Sequence, residues 1–298
     1  MNRLSLGDRS FTIFIYTALA LLAFSCFYPF WNALVISLNT GSDTSLGGVT
    51  FWPRDFTWEN YRIIFKNDNL LGAFGISVAR TVLGTLTSIF ATSLLAYGMT
   101  VPGLMGRKYY MVFFVVTMYF GGGLIPTFIL INNLHLMDKF LVYIIPSMIN
   151  VWNMIIFRTF FKGLPDGLQE AAKIDGCGPW QTYFRIVLPL SGPVLATLSL
   201  FTAIYHWNEW FYAAIYIQTD ALRPIQAVLR QILYSNIVSQ NVSNLDAGSV
   251  AAMARMQQVT SKSLSNAIMM VATIPIILVY PFLQRFFVKG VLVGSLKE

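Results

Sequence analysis

The chain has 298 residues, 56% of them hydrophobic and only 11% charged, where a soluble domain carries about a quarter charged residues. That composition excludes an ordinary soluble globular protein. Each charge-poor stretch of ~20 residues can cross a hydrocarbon core ~30 Å thick, so a polytopic membrane protein is predicted. A net charge of +7 would suggest a nucleic-acid partner in a soluble protein, but here it is first a topology signal.

Charge-poor stretches at 11–37, 72–98, 109–131, 140–161, 186–216 and 264–288 predict six spans. Runs such as Val142 to Ile145 and Ile268 to Val279 are apolar on every face, which fits helices and not the alternation of barrel strands. The first apolar stretch starts at Phe11, runs past Asn39 without a charge and has no small-residue cleavage site, so it reads as an uncleaved span. Long loops follow at 38–71 and 217–263, the second with a short amphipathic helix expected near Ile225 to Leu233. In span three, Gly121-Gly122-Gly123 and Pro126 interrupt the helix and suggest a cavity wall or hinge, with close helix packing as the alternative. Cys26 and Cys177 have no neighbour at redox or metal spacing, and His135 and His206 have no second ligand. No catalytic or metal site is expected. With no internal repeat or linker, residues 1–298 read as one membrane domain.

Orientation follows from Lys and Arg near the span ends. With the N-terminus inside, eleven basic residues fall in short inner segments, among them Arg107, Lys108, Lys162, Lys173 and Arg185, while eight are spread over the outer loops and Arg80 lies within a span. The bias places both termini in the cytoplasm.

Between spans four and five runs Leu164-Pro165-Asp166-Gly167-Leu168-Gln169-Glu170-Ala171-Ala172-Lys173-Ile174-Asp175-Gly176-Cys177. Asp166 as N-cap, Gln169 three residues on and Gly176 beyond the end frame a helix of about nine residues. So short a helix is marginal alone in water and needs a surface to pack on. Leu168, Ala171, Ala172 and Asp175 recur at helical spacing, and the two alanines form a flat strip for a close partner. Phe184, Ile186, Leu188, Pro189 and Pro193 then lead into span five, so a push on the helix would pass to that span. A plain loop helix packed on its own bundle is the alternative.

Glu170-Ala171-Ala172, Asp175-Gly176, Phe184, Ile186, Leu188-Pro189 and Pro193 resemble the EAA signature of the membrane subunits of ABC importers. Within these the chain resembles carbohydrate-uptake permeases related to the smaller membrane subunit of the maltose transporter. The resemblance extends through Pro53, Glu59-Asn60-Tyr61, Trp207-Asn208, and Gln284 to Gly290 with Gly294 and Lys297. Tyr119 to Pro126 is similar to a Gram-positive subgroup that carries complex oligosaccharides. Cys177 departs from the family's usual Ala, and it is small enough to leave docking intact.

The resemblance implies an all-α type I ABC importer permease fold: six transmembrane helices and a cytoplasmic coupling helix seated in a cleft of an ATPase. It implies coupling by Glu170, Ala171, Ala172, Asp175, Gly176, Leu188 and Pro189. The implied partners are a second, homologous permease subunit, two copies of a cytoplasmic ABC ATPase and an extracellular solute-binding lipoprotein, all in the cytoplasmic membrane or at its faces. The loop between spans five and six would reach the binding protein, and the tail from Lys289 the ATPases. The chain has no G-x-x-x-x-G-K-[ST] phosphate loop. It is therefore read as a non-enzymatic transport subunit without a cofactor of its own, ATP and Mg being bound by the ATPase.

A charge inside a span costs roughly 2.5 to 3.5 kcal/mol, so Arg80 and Glu209 need partners or water. Glu209 lies in Tyr205-His206-Trp207-Asn208-Glu209-Trp210-Phe211-Tyr212, where aromatic faces and hydrogen-bonding groups suit a sugar. An interfacial aromatic belt is the alternative. Arg80 can pair with Glu209, snorkel, or meet an acidic sugar such as a uronate. Arg80, Trp207, Asn208, Glu209, Trp210 and Gly122 are thus the candidate substrate pathway. The expected function is ATP-driven import of an oligosaccharide by alternating access, with an acidic or plant-polysaccharide-derived sugar left open. The rival, a secondary sugar transporter or channel without an ATPase, would usually show coupling carboxylates or inverted repeats. An intramembrane enzyme would need paired aspartates or H-E-x-x-H, and neither occurs in a span.

Overall fold

The structure, a computed structural model, describes residues 6–243 and 262–279; within them the regular elements are helices, with one isolated antiparallel bridge between Asn39 and Phe56. In chain order the first are α1 (Leu6–Ser37), α2 (Gly41–Ser45), α3 (Glu59–Lys66), α4 (Asp68–Gly98), α5 (Arg107–Tyr119) and α6 (Leu124–Asn133). Two short 3-10 turns, Phe140–Tyr143 and Ile145–Ser147, precede α7 (Val151–Lys162) and α8 (Asp166–Ile174). Next come α9 (Pro179–Thr182), a π-helical turn over Tyr183–Val187, α10 (Leu188–Leu190), α11 (Gly192–Asn208), α12 (Phe211–Tyr216) and α13 (Ile225–Ser243). The last described helix is α14 (Lys262–Val279).

Among the described residues, α1, α4 and α14 are each long and apolar enough to cross a membrane, and three bent pairs bring the total to six. Span three breaks by 113° between α5 and α6, as its glycines predict, and Gly123 takes φ 81°, ψ −179°, a conformation essentially restricted to glycine. Spans four and five correct the expectation of single helices. Span four begins as the two 3-10 turns around Pro146 and bends 48° before α7, whose N-cap Asn150 accepts from the Asn153 amide. The segment leading into span five bends 81° at Ser191, and the helix stops again at Glu209. The amphipathic helix expected at 225–233 is present and longer, as α13. The end of span six and the motif from Gln284 to Lys297 lie outside the described residues.

The chain divides into two compact units, Met1–Asp68 with Leu229–Ile274, and Asn69–Val228 with Pro275–Glu298. In the second unit, α4 inverts the pattern of a soluble helix. Its inward stripe is Ser77, Arg80, Gly84, Ser88, Thr92 and Ala96, three to four residues apart, while Val82, Leu83, Leu86 and Phe90 face outward. In lipid, apolar side chains gain nothing by avoiding the solvent, so small residues that let backbones approach line the interfaces. Asn153 donates from Nδ2 to Thr202 Oγ1 at 3.2 Å, and the Asn150 amide donates to Thr92 Oγ1 at 3.2 Å. These bonds tie α4, α7 and α11 together.

In the first unit the end of α1 is closed by a polar knot. The fully buried Asn39 donates to Asp43 Oδ2 and Thr44 Oγ1 and accepts from the Asp55 amide. Asn60 Nδ2 donates to the carbonyls of Ser37 at 2.9 Å and Asn39 at 3.1 Å, and the Tyr61 hydroxyl meets Ser37 Oγ at 2.7 Å. Asn60 therefore satisfies backbone carbonyls at and just beyond the end of α1. Removing the side chain of Asn60 strands two buried carbonyls at a cost of about 1–3 kcal/mol. Asn60→Ala is expected to lower the unfolding midpoint in detergent, whereas Glu59→Ala, whose partner Arg62 is exposed, leaves it unchanged.

Candidate functional site

Two places in the second unit concentrate polar chemistry. The first is α8. Pro165, with φ −57° and ψ 128°, occupies the N-cap position, and its carbonyl accepts from the Leu168 amide at 3.1 Å. Asp166 is therefore the first helical residue and not the cap, because proline's fixed φ takes the turn one residue earlier. The other end follows expectation: Gly176 has φ 77°, its amide donates to Lys173 O at 3.1 Å, and the Cys177 amide donates to Ala172 O at 2.8 Å. That pair of bonds is a Schellman motif.

The proposed alanine strip divides. Ala172 is 3% exposed and turned into its own chain, whereas Glu170, Ala171 and Asp175 lie on the open face with Leu168, 40% exposed, and Ile174, 86% exposed. A helix packed wholly on its own bundle would not leave Ile174 bare. Beyond Gly178, whose amide is bound by Gln181 Oε1, the segment Pro179–Leu190 runs to the bend, where Ser191 Oγ donates to Val187 O at 2.6 Å. Leu188 is half-buried beside the core of Tyr97, Phe157, Phe161 and Tyr183, and Pro189 is exposed.

The second place is the break at the end of α11. Arg80 has no exposed side-chain surface, and Glu209 is 11% exposed. One Glu209 oxygen, Oε1, accepts from the Tyr212 amide at 2.8 Å at the start of α12; the other pairs with Arg80 Nη1 at 3.4 Å. Arg80 Nη2 donates to the Trp207 carbonyl at 3.3 Å, and its guanidinium carbon stands 5.2 Å from the centre of the Tyr143 ring. The ion pair thus answers the backbone groups that the break frees. Arg80 Nε and His206 Nε2, both buried without hydrogen-bond partners among the described residues, belong to the walls of a cavity of about 10 Å³, with Tyr143, Tyr205 and Tyr212 among the other lining residues. That is about the space of one water.

Of the expected pathway residues, Arg80 and Glu209 are brought together. Trp207 is buried edge-on to Phe74, 5.8 Å between centroids, while Asn208 is exposed and donates to the Ile204 carbonyl. Trp210 is half-buried beside Phe211, and Gly122 lies exposed in the break of span three. Tyr143 and Gly84 were not foreseen. Tyr143 is the one polar side chain in an otherwise aliphatic run, and a Cβ on Gly84 would stand 2.6 Å from the His206 ring, so the close helix crossing needs glycine.

Beside this break, Asp138, at φ 53°, holds the loop after α12: its carboxylate accepts from the amides of Gln218 and Thr219 and from Thr219 Oγ1 at 2.6 Å. The Thr219 bonds hold this carboxyl below its usual pKa. A depressed pKa means that the bonded state contributes stability above the ordinary carboxylate value, and that the contribution is lost as pH falls through the lowered one. Hydrogen exchange at the Gln218 and Thr219 amides is therefore expected to accelerate, relative to the rest of the chain, as pH drops below about 4. Asp138→Ala should abolish that dependence.

Residues 72–293 match the family model described as binding-protein-dependent transport system inner membrane component. The chain is similar to the polygalacturonan/rhamnogalacturonan transport system permease protein YtcP of Bacillus subtilis (strain 168), 40% identical over 290 residues, covering 97% of this chain and 99% of that one. It is also similar to protein LplC of the same organism, 36% identical over 270 residues, 90% of this chain and 88% of that one. Among solved structures, a chain of a bacterial ABC transporter involved in the import of the acidic polysaccharide alginate aligns with a TM-score of 0.84 at 27% identity, covering 96% of this chain and 100% of that one.

Proposed function

Because the chain belongs to the family of binding-protein-dependent transport system inner membrane components, we propose that it is one permease subunit of an ATP-driven ABC importer for an acidic oligosaccharide of plant-polysaccharide type. The names of YtcP, a polygalacturonan/rhamnogalacturonan permease, and of the importer of the acidic polysaccharide alginate support the substrate class. The family model runs from residue 72 to 293, through parts of both compact units, which supports reading them as one transmembrane domain. With both termini in the cytoplasm, α8 lies on the inner face and docks into one of two ATPase subunits, which hold ATP and Mg. A second permease subunit completes the pathway, and an external binding lipoprotein delivers the sugar to the outer loops.

The observation that carries the coupling role is the open face of α8, with Glu170, Ala171, Asp175 and the bare Ile174 presented at the end of a segment continuous with the bend into span five. Ala172, Gly176, Leu188 and Pro189 shape the helix end and the segment that transmits its motion. The substrate pathway runs by Asn208, Trp210 and the break at Gly122, with Trp207, Arg80 and Glu209 holding its wall. A secondary transporter or channel has no use for such a helix, and sugar uptake that persists after ATP depletion would favour that rival.

Two measurements test this reading. Glu170→Ala, and Gly176→Val, which forces a β-branched residue into φ 77°, are each expected to abolish trigalacturonate uptake while the protein inserts at wild-type level. Normal uptake by either would remove the coupling assignment. Arg80→Gln breaks a buried pair and is expected to reduce uptake of trigalacturonate and of a neutral trisaccharide in equal proportion, because Arg80 is fully enclosed. A loss confined to the acidic sugar would place Arg80 on the substrate instead.

A further inference from the structure

Tyr183 is the first residue of the π-helical turn that follows α9, and it has no exposed surface. Its ring rests on Tyr97 of α4, 5.2 Å between centroids, inside a core shared with Met154 and Phe157 of α7. Its hydroxyl meets Ser93 of α4 at 2.7 Å, a bond across 90 residues of chain. Ser93 Oγ also donates to the Phe90 carbonyl at 3.1 Å, which leaves the Tyr183 hydroxyl as donor to Ser93. Packing is non-directional and lets surfaces slide, whereas a buried hydrogen bond fixes register and orientation.

The segment Pro179–Leu190 has α8 at one end and the 81° bend at Ser191 at the other. Tyr183 is the point between them where a directional bond grips a different span. Its turn is π-helical, a geometry that recurs at functional positions in helices. We propose that the Tyr183–Ser93 hydrogen bond is the joint through which displacement of α8 is passed to α4, and that Tyr183 is a positioning residue for the coupling of ATP hydrolysis to transport. The inference rests on reading α8 as the ATPase-docking helix.

Tyr183→Phe isolates the bond, because the ring stays in the core and Ser93 keeps its bond to Phe90. Ser93→Ala instead strands the buried hydroxyl of Tyr183, and Ser93→Ala/Tyr183→Phe removes that orphan. The complete importer is reconstituted in proteoliposomes with its binding protein, and trigalacturonate uptake and ATP hydrolysis are measured in the same vesicles. Tyr183→Phe is expected to assemble at wild-type yield and to hydrolyse about three to ten times more ATP per sugar, the range set by one net hydrogen bond. The double variant should show the same raised ratio, and serves alone if Tyr183→Phe assembles poorly. A wild-type ratio in the double variant overturns the joint, as does a proportional fall of both rates. Glu170→Ala separates the two readings: inactive Glu170→Ala beside a wild-type ratio in the tyrosine variant overturns the joint alone, whereas fully active Glu170→Ala removes the docking reading and the joint with it.

Discussion

Span five is a helix in three pieces, and the contact between Arg80 and Glu209 is what makes its break at Glu209 tolerable. In hydrocarbon, each backbone group released by a broken helix costs several kcal/mol unless something replaces the lost bond. Arg80 supplies a donor to the Trp207 carbonyl at the end of α11, and Glu209 supplies an acceptor to the Tyr212 amide at the start of α12. Having done so, the two charges face one another at 3.4 Å and neutralise what would otherwise be two isolated ions. Neither residue can be understood alone, since removing one partner of a buried pair typically costs about 3–5 kcal/mol. The ring of Tyr143 beneath the guanidinium adds a cation–π contact from span four, so three spans meet at this point.

The break at Ser191 is built differently. No charge is buried there; Ser191 returns its hydroxyl to Val187, and prolines at 189 and 193 remove the amides that a continuous helix would need. A hinge closed by one local hydrogen bond and an apolar core is easier to deform than a join held by an ion pair. The asymmetry fits the proposal that the Ser191 end of the span follows α8 while the Glu209 end holds its place. Breaks in spans three and four fall in the same unit, so span five is not alone in being broken.

How far the sequence revealed this depended on whether the signal was local. Apolar length marked the spans, three glycines marked the break in span three, and Gly176 marked the end of α8, because each is a property of neighbouring residues. The stop at Glu209 carries no glycine or proline. It exists because Arg80, 129 positions away, compensates it. The cost of burying a charge flagged both residues, but the alternatives of pairing, snorkelling and sugar binding could be separated only in three dimensions. Pro165 displaced Asp166 from the cap through a preference legible in hindsight. Ala172, by contrast, faces inward for a reason that helical spacing does not contain.

The least legible feature is also the one on which transmission depends. Tyr183 follows an amphipathic helix and precedes Phe184, so by composition it resembles an interfacial aromatic. Phe184 does lie outside, stacked between Trp180 and Phe90, each 6.3 Å away. The widened turn of the π-helix sends its neighbour the other way, into the core beside Ser93. For close packing alone, alanine would serve as well as the buried Ser93 beside the small-residue stripe of α4. Its hydroxyl, already bonded to the helix backbone at Phe90, is instead a fixed acceptor aimed at the segment that follows α8. In a helix interface that gains little from burial in lipid, such directional bonds carry the register of one span on another.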